Sequence, residues 1–233
     1  MKKILENFVT RRYKPFSKRP FSIKSFTTGI FGFIFLLCVV LLCIWSAGAG
    51  EVINNYLKSL RAPLTFLIVF NIFGLIIFNI TKLKKYAVVI SYISSILFLL
   101  STVAFSACLT REPTKYNTNA GILIFLVWII GVLVHIAVVS ISLKRGSMKI
   151  RDKYGDYYTN IVSGFAIVCM FLYSYSDKEL FLLLGVSMIV GGLLIVLTFN
   201  FPRILPYWRK DEPKKDVSVY GNTTKMMKRG KSK

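Results

Sequence analysis

His135 is the only histidine in the 233-residue chain. Cysteine and tyrosine aside, it is also the only ionisable side chain well inside a long apolar run. An ionisable group at that depth is a functional candidate, and an imidazole can relay protons or bind a metal. No Asp or Glu lies inside any of the long apolar runs, so His135 has no acid at membrane depth to work with. We therefore expect a neutral imidazole bonded to a serine or a backbone carbonyl of a neighbouring helix.

The remaining polar residues of these runs form stripes. Ser91, Ser95, Thr102 and Ser106 fall within about 60° of one another at helical spacing. Asn71, Gly74 and Thr81 share a second face, with Asn79 about a quarter turn away. Trp128, Gly131, His135 and Ser142 share a third. Small residues let membrane helices approach closely, and hydroxyls and amides bond between them. Helix packing is the preferred reading, supported by the pairs Ser91/Ser95 and Ser187/Gly191. The alternative is the lining of a solute path. On either reading the candidate intramembrane polar face is Asn71, Ser91, Ser95, Thr102 and His135.

Other chemistry is hard to assemble. Ion-coupled transporters and pumps place carboxylates or paired charges at membrane depth, and none is present. One histidine cannot supply HExxH or a convincing nucleophile–base pair. Ser163-Gly164 lacks the GxSG context of an intramembrane serine protease, and no Walker or dinucleotide glycine loop occurs. Cys38, Cys43, Cys108 and Cys169 lie in or beside apolar runs without a CxxC, and read as small hydrophobes. We expect a non-enzymatic protein with no cofactor and no metal site.

The elements that position these residues follow from hydropathy. The chain is 55% hydrophobic and 18% charged, far from a soluble average of about 45–50% and about a quarter. Six stretches reach the roughly 20 apolar residues needed to cross a bilayer, near 27–49, 62–81, 86–109, 120–143, 158–176 and 180–201. Being apolar on all sides, they must be helices, not barrel strands. The expected fold is all-α: a polytopic integral membrane protein with six transmembrane helices and both termini inside. Its short connections, 50–61, 82–85, 110–119, 144–157 and 177–179, predict that successive helices run antiparallel and pack as neighbours.

Orientation follows from the cations. With the amino terminus inside, 26 of the 31 Lys and Arg residues fall on the inner side, a strong positive-inside asymmetry. The net charge of +21 is thereby explained without nucleic acid. Trp45, Tyr56, Tyr173 and Tyr175 mark the outer interface, and Tyr86, Tyr157, Tyr158, Tyr207 and Trp208 the inner one. Pro202 and Pro206 end the sixth helix. Met1-Lys2-Lys3 and Ala47-Gly48-Ala49 resemble the two ends of a signal peptide, but the apolar run and the 26 residues ahead of it are too long. An uncleaved first helix is expected.

Outside the membrane domain, 27–201, lie a basic arm, 1–26, and a basic disordered tail, 202–233. Ile4, Leu5, Phe8 and Val9 fall on one side of a helix whose other sides carry Lys2, Lys3, Arg11 and Arg12. Such an arm suits either an interfacial helix held by anionic lipid of the inner leaflet or a disordered basic segment. The glycosylation sequon at Asn222 lies on the inner side.

The basic aromatic start MKKILENFVTRRYKPFSKRPFSIKSF, followed by six plain spans, resembles in overall layout the uncharacterised small membrane proteins encoded beside type VII secretion genes in Gram-positive bacteria. The resemblance implies a secretion accessory or immunity against a secreted toxin, and brings no functional residues with it. The expected function is accordingly interaction with other membrane proteins, or self-association, in a bacterial cytoplasmic membrane. A small uncoupled transporter or channel for a neutral solute is the alternative.

Overall fold

The structure, a computed structural model, describes residues 3–4, 7–13, 22–46, 51–154, 156–201, 204 and 207–208. Ala47-Gly48-Ala49, Leu5, Pro202, Pro206, Asn222 and the tail from 209 onward lie outside the described residues.

The fold is all-α. Six helices are long and apolar enough to cross a membrane. They are α1 (Ile23–Ser46), α2 (Glu51–Asn79), α3 (Lys84–Ala107), α4 (Pro113–Lys144), α6 (Tyr157–Ser176) and α7 (Glu179–Asn200), with a short linking helix α5 (Lys149–Tyr154) between α4 and α6. In a medium without water every backbone N–H and C=O needs an internal partner, and the helix supplies one within the segment itself.

The helices reach beyond the apolar runs, which shortens the connections. Residues 51–61, expected as part of an outer loop, form the first turns of α2 and carry Lys58 and Arg61 in helical conformation. Glu51 occupies its first turn, where a negative charge complements the helix dipole. Arg61 lies 4.3 Å from the centre of the Trp45 ring near the end of α1, closing the first hairpin with a cation–π contact. Likewise α4 starts at Pro113, a residue suited to a first helical position. Hydropathy marks where a helix is apolar, not where its hydrogen bonding ends.

The last helix is the hub. α7 packs against α6, α4 and α3, while α1 packs on α2 and α2 on α3. The expectation that successive helices are neighbours therefore fails in part: α4 and α6 follow one another, yet each has α7 as its main partner. Glycine makes this possible. A Cβ at Gly191 would stand 2.6 Å from the Val127 side chain of α4, and one at Gly185 would stand 2.8 Å from the Met170 sulfur of α6. At Gly131 the bare backbone of α4 admits Ile195 of α7 and Tyr158 of α6. Close backbone approach of this kind supplies the van der Waals contact that drives helix association in lipid.

Polar side chains reinforce these contacts. Trp128 Nε1 donates to Thr198 Oγ1 at 3.0 Å, Tyr158 Oη to the Val127 carbonyl at 3.0 Å, and Tyr92 Oη to the Leu197 carbonyl at 3.0 Å. Phe31, Phe35 and Leu42 of α1 and Phe165 and Phe171 of α6 point outward, exposed.

The described residues nearest the two chain ends meet one face of the bundle, called here the terminal face. Phe26 at the start of α1 stacks on Phe78 at the end of α2, with ring centroids 3.8 Å apart. Tyr86 at the start of α3 meets Trp208 edge-on at 5.5 Å.

Candidate functional site

Two groups of polar residues converge within the bundle, both toward the terminal face. The first surrounds His135. In α4 the spacing of Gly131, His135 and Ser142 turns all three toward the interior, and His135 is buried. Its ring meets Phe199 of α7 at 4.6 Å between centroids. The other side of the ring is covered by the amino-terminal arm, whose Phe8 stands edge-on at 4.8 Å. His135 Nε2 lies 2.6 Å from the Phe8 carbonyl oxygen. A carbonyl only accepts, so Nε2 carries the hydrogen, and Nδ1 has no partner among the described residues. The expected carbonyl bond is present, but the carbonyl comes from the arm and not from a neighbouring helix.

The arm is held by more than the imidazole. Arg151 of α5, 4% exposed, donates through Nη1 to the Asn7 carbonyl at 3.1 Å. Its Nε and Nη2 donate to Asp152 Oδ1 at 3.0 and 2.5 Å. The same carboxylate oxygen accepts the Arg11 backbone N–H at 2.9 Å. Arg12 pairs with Asp156 at 3.8 Å, Tyr13 stacks on Phe199 at 5.8 Å, and Thr10 is buried. Residues 7–13 therefore turn across the terminal face with Phe8 pointing into the bundle. In an interfacial helix, one of the two arrangements that suit the arm's sequence, Phe8 would point toward lipid.

The second group lies between α1, α2 and α3. A cleft of about 210 Å³ is lined on its polar side by Asn71, Ser91, Ser94 and Ser95, and on its apolar side by Phe26 and Ile30 among others. Gly74 of α2 lies against Ile90 of α3, so one turn earlier in α2 Asn71 stands level with Ser94 in the antiparallel neighbour. Asn71 Nδ2 donates to the Leu67 carbonyl of its own helix at 2.7 Å, leaving Oδ1 without a donor among the described residues. Ser94 Oγ is equally without a partner. By contrast Ser95, Ser101, Thr102 and Ser106 all bond back to a carbonyl of α3.

The five residues singled out from sequence are thus divided. Asn71, Ser91 and Ser95 share the α1–α3 cleft. Thr102 donates to Leu99 at 2.7 Å and does not line that cleft. His135 belongs to the arm groove on the other side of the bundle. They form no single lining, and the Trp128–Gly131–His135–Ser142 face of α4 is used for packing and for holding the arm. Arg151, Asp152, Phe199 and Ser94 were not singled out from sequence, and Phe8 was read only as part of the apolar side of the arm. Only the Arg151-Asp152 pair, acidic amid basic residues in a short connection, offered a signal.

The fold and these sites define a bundle of six helices of membrane-spanning capacity with residues 7–13 of the amino-terminal arm folded against it. Comparison of the chain with family models, curated proteins and solved structures finds no match.

Proposed function

We propose that the chain is a multi-pass protein of a bacterial cytoplasmic membrane, with both termini in the cytoplasm, that acts by binding other membrane proteins and catalyses no reaction. Of the 17 described Lys and Arg residues, 12 belong to segments at the terminal face, which supports a cytoplasmic placement of that face. The observation that carries the binding role is the position of α1. This helix packs on α2 and leaves much of its remaining perimeter open. On it, Gly32 has nothing within 4 Å of where a Cβ would stand, and Gly29 is open toward the α1–α3 cleft. An open helix with bare backbone is the kind of surface a second membrane helix approaches closely.

Cross-linking in native membranes, followed by detergent extraction, tests the proposal. A cross-linked protein partner or a homo-oligomer is expected, and a strictly solitary monomer contradicts it. Within this reading the layout fits a secretion accessory or an immunity protein. Toxin challenge of a sensitive host expressing the chain separates the two, protection being expected only for immunity.

The α1–α3 cleft favours a second reading, uncoupled passage of a small neutral solute. Its polar wall has hydrogen-bonding groups and no charge. Flux through purified protein in liposomes, altered by Asn71→Asp before folding is lost, is the expected result. No flux of any neutral solute would remove this reading.

A further inference from the structure

The segment 7–13 forms no regular element of its own. Among the described residues, the backbone bonds within the arm are two isolated turns, Asn7 N to the Ile4 carbonyl at 3.2 Å and Tyr13 N to the Thr10 carbonyl at 3.1 Å. What fixes it is a groove on the terminal face, and the way that groove holds it is characteristic of peptide recognition. His135 and Arg151 take successive backbone carbonyls, those of Phe8 and Asn7, and Asp152 takes the Arg11 backbone N–H. These three contacts read the main chain and are indifferent to side chains. Specificity is added by one aromatic, Phe8, seated against both His135 and Phe199, and by Asp152 and Asp156, which favour cations at the third and fourth positions after it.

The groove itself belongs to the helices. Arg151 is held by Asp152, and Phe199 and His135 pack on each other, so its recognising groups have partners that do not belong to the arm. We infer that this groove is a peptide-binding site whose resident occupant is the chain's own arm, and that it receives from a partner protein a cytoplasmic segment with an aromatic residue followed at the third and fourth positions by Arg or Lys. The arm is then a competitor in cis, tethered to the groove and displaced by a partner segment of the same pattern. This rests on the reading of the protein as one that works by binding partners, and supplies the surface and the chemistry of the partner.

The test uses the full-length protein in nanodiscs of neutral phosphatidylcholine and a fluorescent peptide of residues 4–13, ILENFVTRRY. Removing the anchoring aromatic of the arm with Phe8→Ala weakens the competitor, so peptide affinity is expected to rise about tenfold over the native protein, as befits a buried aromatic anchor. A peptide with alanine in place of its phenylalanine is expected to bind neither protein, and adding Arg151→Gln to Phe8→Ala is expected to abolish binding. Absence of peptide binding to a Phe8→Ala protein that keeps its unfolding temperature overturns the inference. Equal binding of the peptides with and without phenylalanine also overturns it, since that is attraction of charge alone.

A second measurement covers the case in which Phe8→Ala does not fold. In an otherwise native chain with Val9→Cys and the four native cysteines replaced, saturating peptide is expected to raise maleimide labelling at position 9 several-fold, and no rise overturns the inference. Failure of the peptide to bind leaves the membrane cross-linking to decide the broader reading. A solitary monomer in the membrane alongside a bound peptide removes that reading, and with it the partner protein, and leaves the groove as a site for the chain's own arm.

Discussion

The His135 imidazole donates from Nε2 to the carbonyl oxygen of Phe8 at 2.6 Å, joining residues 127 positions apart. A buried hydrogen bond of this kind contributes about 1 kcal/mol net, whereas leaving a buried donor or acceptor unmade costs about 1–3 kcal/mol. Its role is to hold the arm, so its loss is expected to show there first. In His135→Ala the arm loses both this bond and an edge-on ring contact. Maleimide labelling of a Val9→Cys reporter is expected to rise several-fold, with the unfolding temperature changing less than for a core glycine substitution. Unchanged labelling would refute the assignment.

The glycines of the hub predict a different outcome. Gly191→Val places branched carbon where even a Cβ stands 2.6 Å from Val127, and overpacking of this kind costs about 1–3 kcal/mol. Gly164 of α6 has nothing within 4 Å, so Gly164→Ala is expected to stay within about 1 kcal/mol of the native protein. Thermal unfolding in one detergent compares the two, and similar midpoints would contradict the α4–α7 contact.

Arg151 serves Asn7 and Asp152 together. Arg151→Ala leaves Asp152 without its guanidinium and the Asn7 carbonyl without a donor, with an expected cost of about 1–3 kcal/mol. Arg151→Lys keeps the charge but not the fork of donors, so partial recovery only is expected. Proteolysis within residues 7–13 reports the effect, and full rescue by lysine would show that charge alone matters.

Ser94 gives the converse case. Its hydroxyl is buried and makes no hydrogen bond among the described residues, so Ser94→Ala removes a group that contributes no bond. Stability equal to the native protein, or greater by up to about 1–3 kcal/mol, is expected. A marked loss of stability would mean that the hydroxyl is bonded, and calorimetry decides.

The proposed orientation is tested by single cysteines in a chain with the native four replaced. Thr114→Cys and Lys178→Cys lie opposite the terminal face and are expected to label with a membrane-impermeant reagent on intact cells. Ser147→Cys, in the connection between α4 and α5, is expected to label only after the membrane is opened. The reverse pattern would invert the topology.

Length and hydropathy determined the number of long apolar helices and nearly all of their apolar extents, because a run apolar on every side admits one way of satisfying its backbone in lipid. The polar stripes were legible too, since helical periodicity is a local property; Gly131, His135 and Ser142 do share the interior face of α4. Only the tertiary structure decided what those stripes meet. That α7 and not α6 is the main partner of α4 depends on Gly131 lying against Ile195 and Gly191 against Val127, pairs 64 positions apart, which no local pattern encodes. The arm shows the same limit. Ile4, Phe8 and Val9 have the spacing of a lipid-facing surface, and sequence alone cannot distinguish burial against lipid from burial against protein. The choice was made by His135, Arg151 and Asp152, which offer Asn7, Phe8 and Arg11 the hydrogen bonds that hydrocarbon lacks.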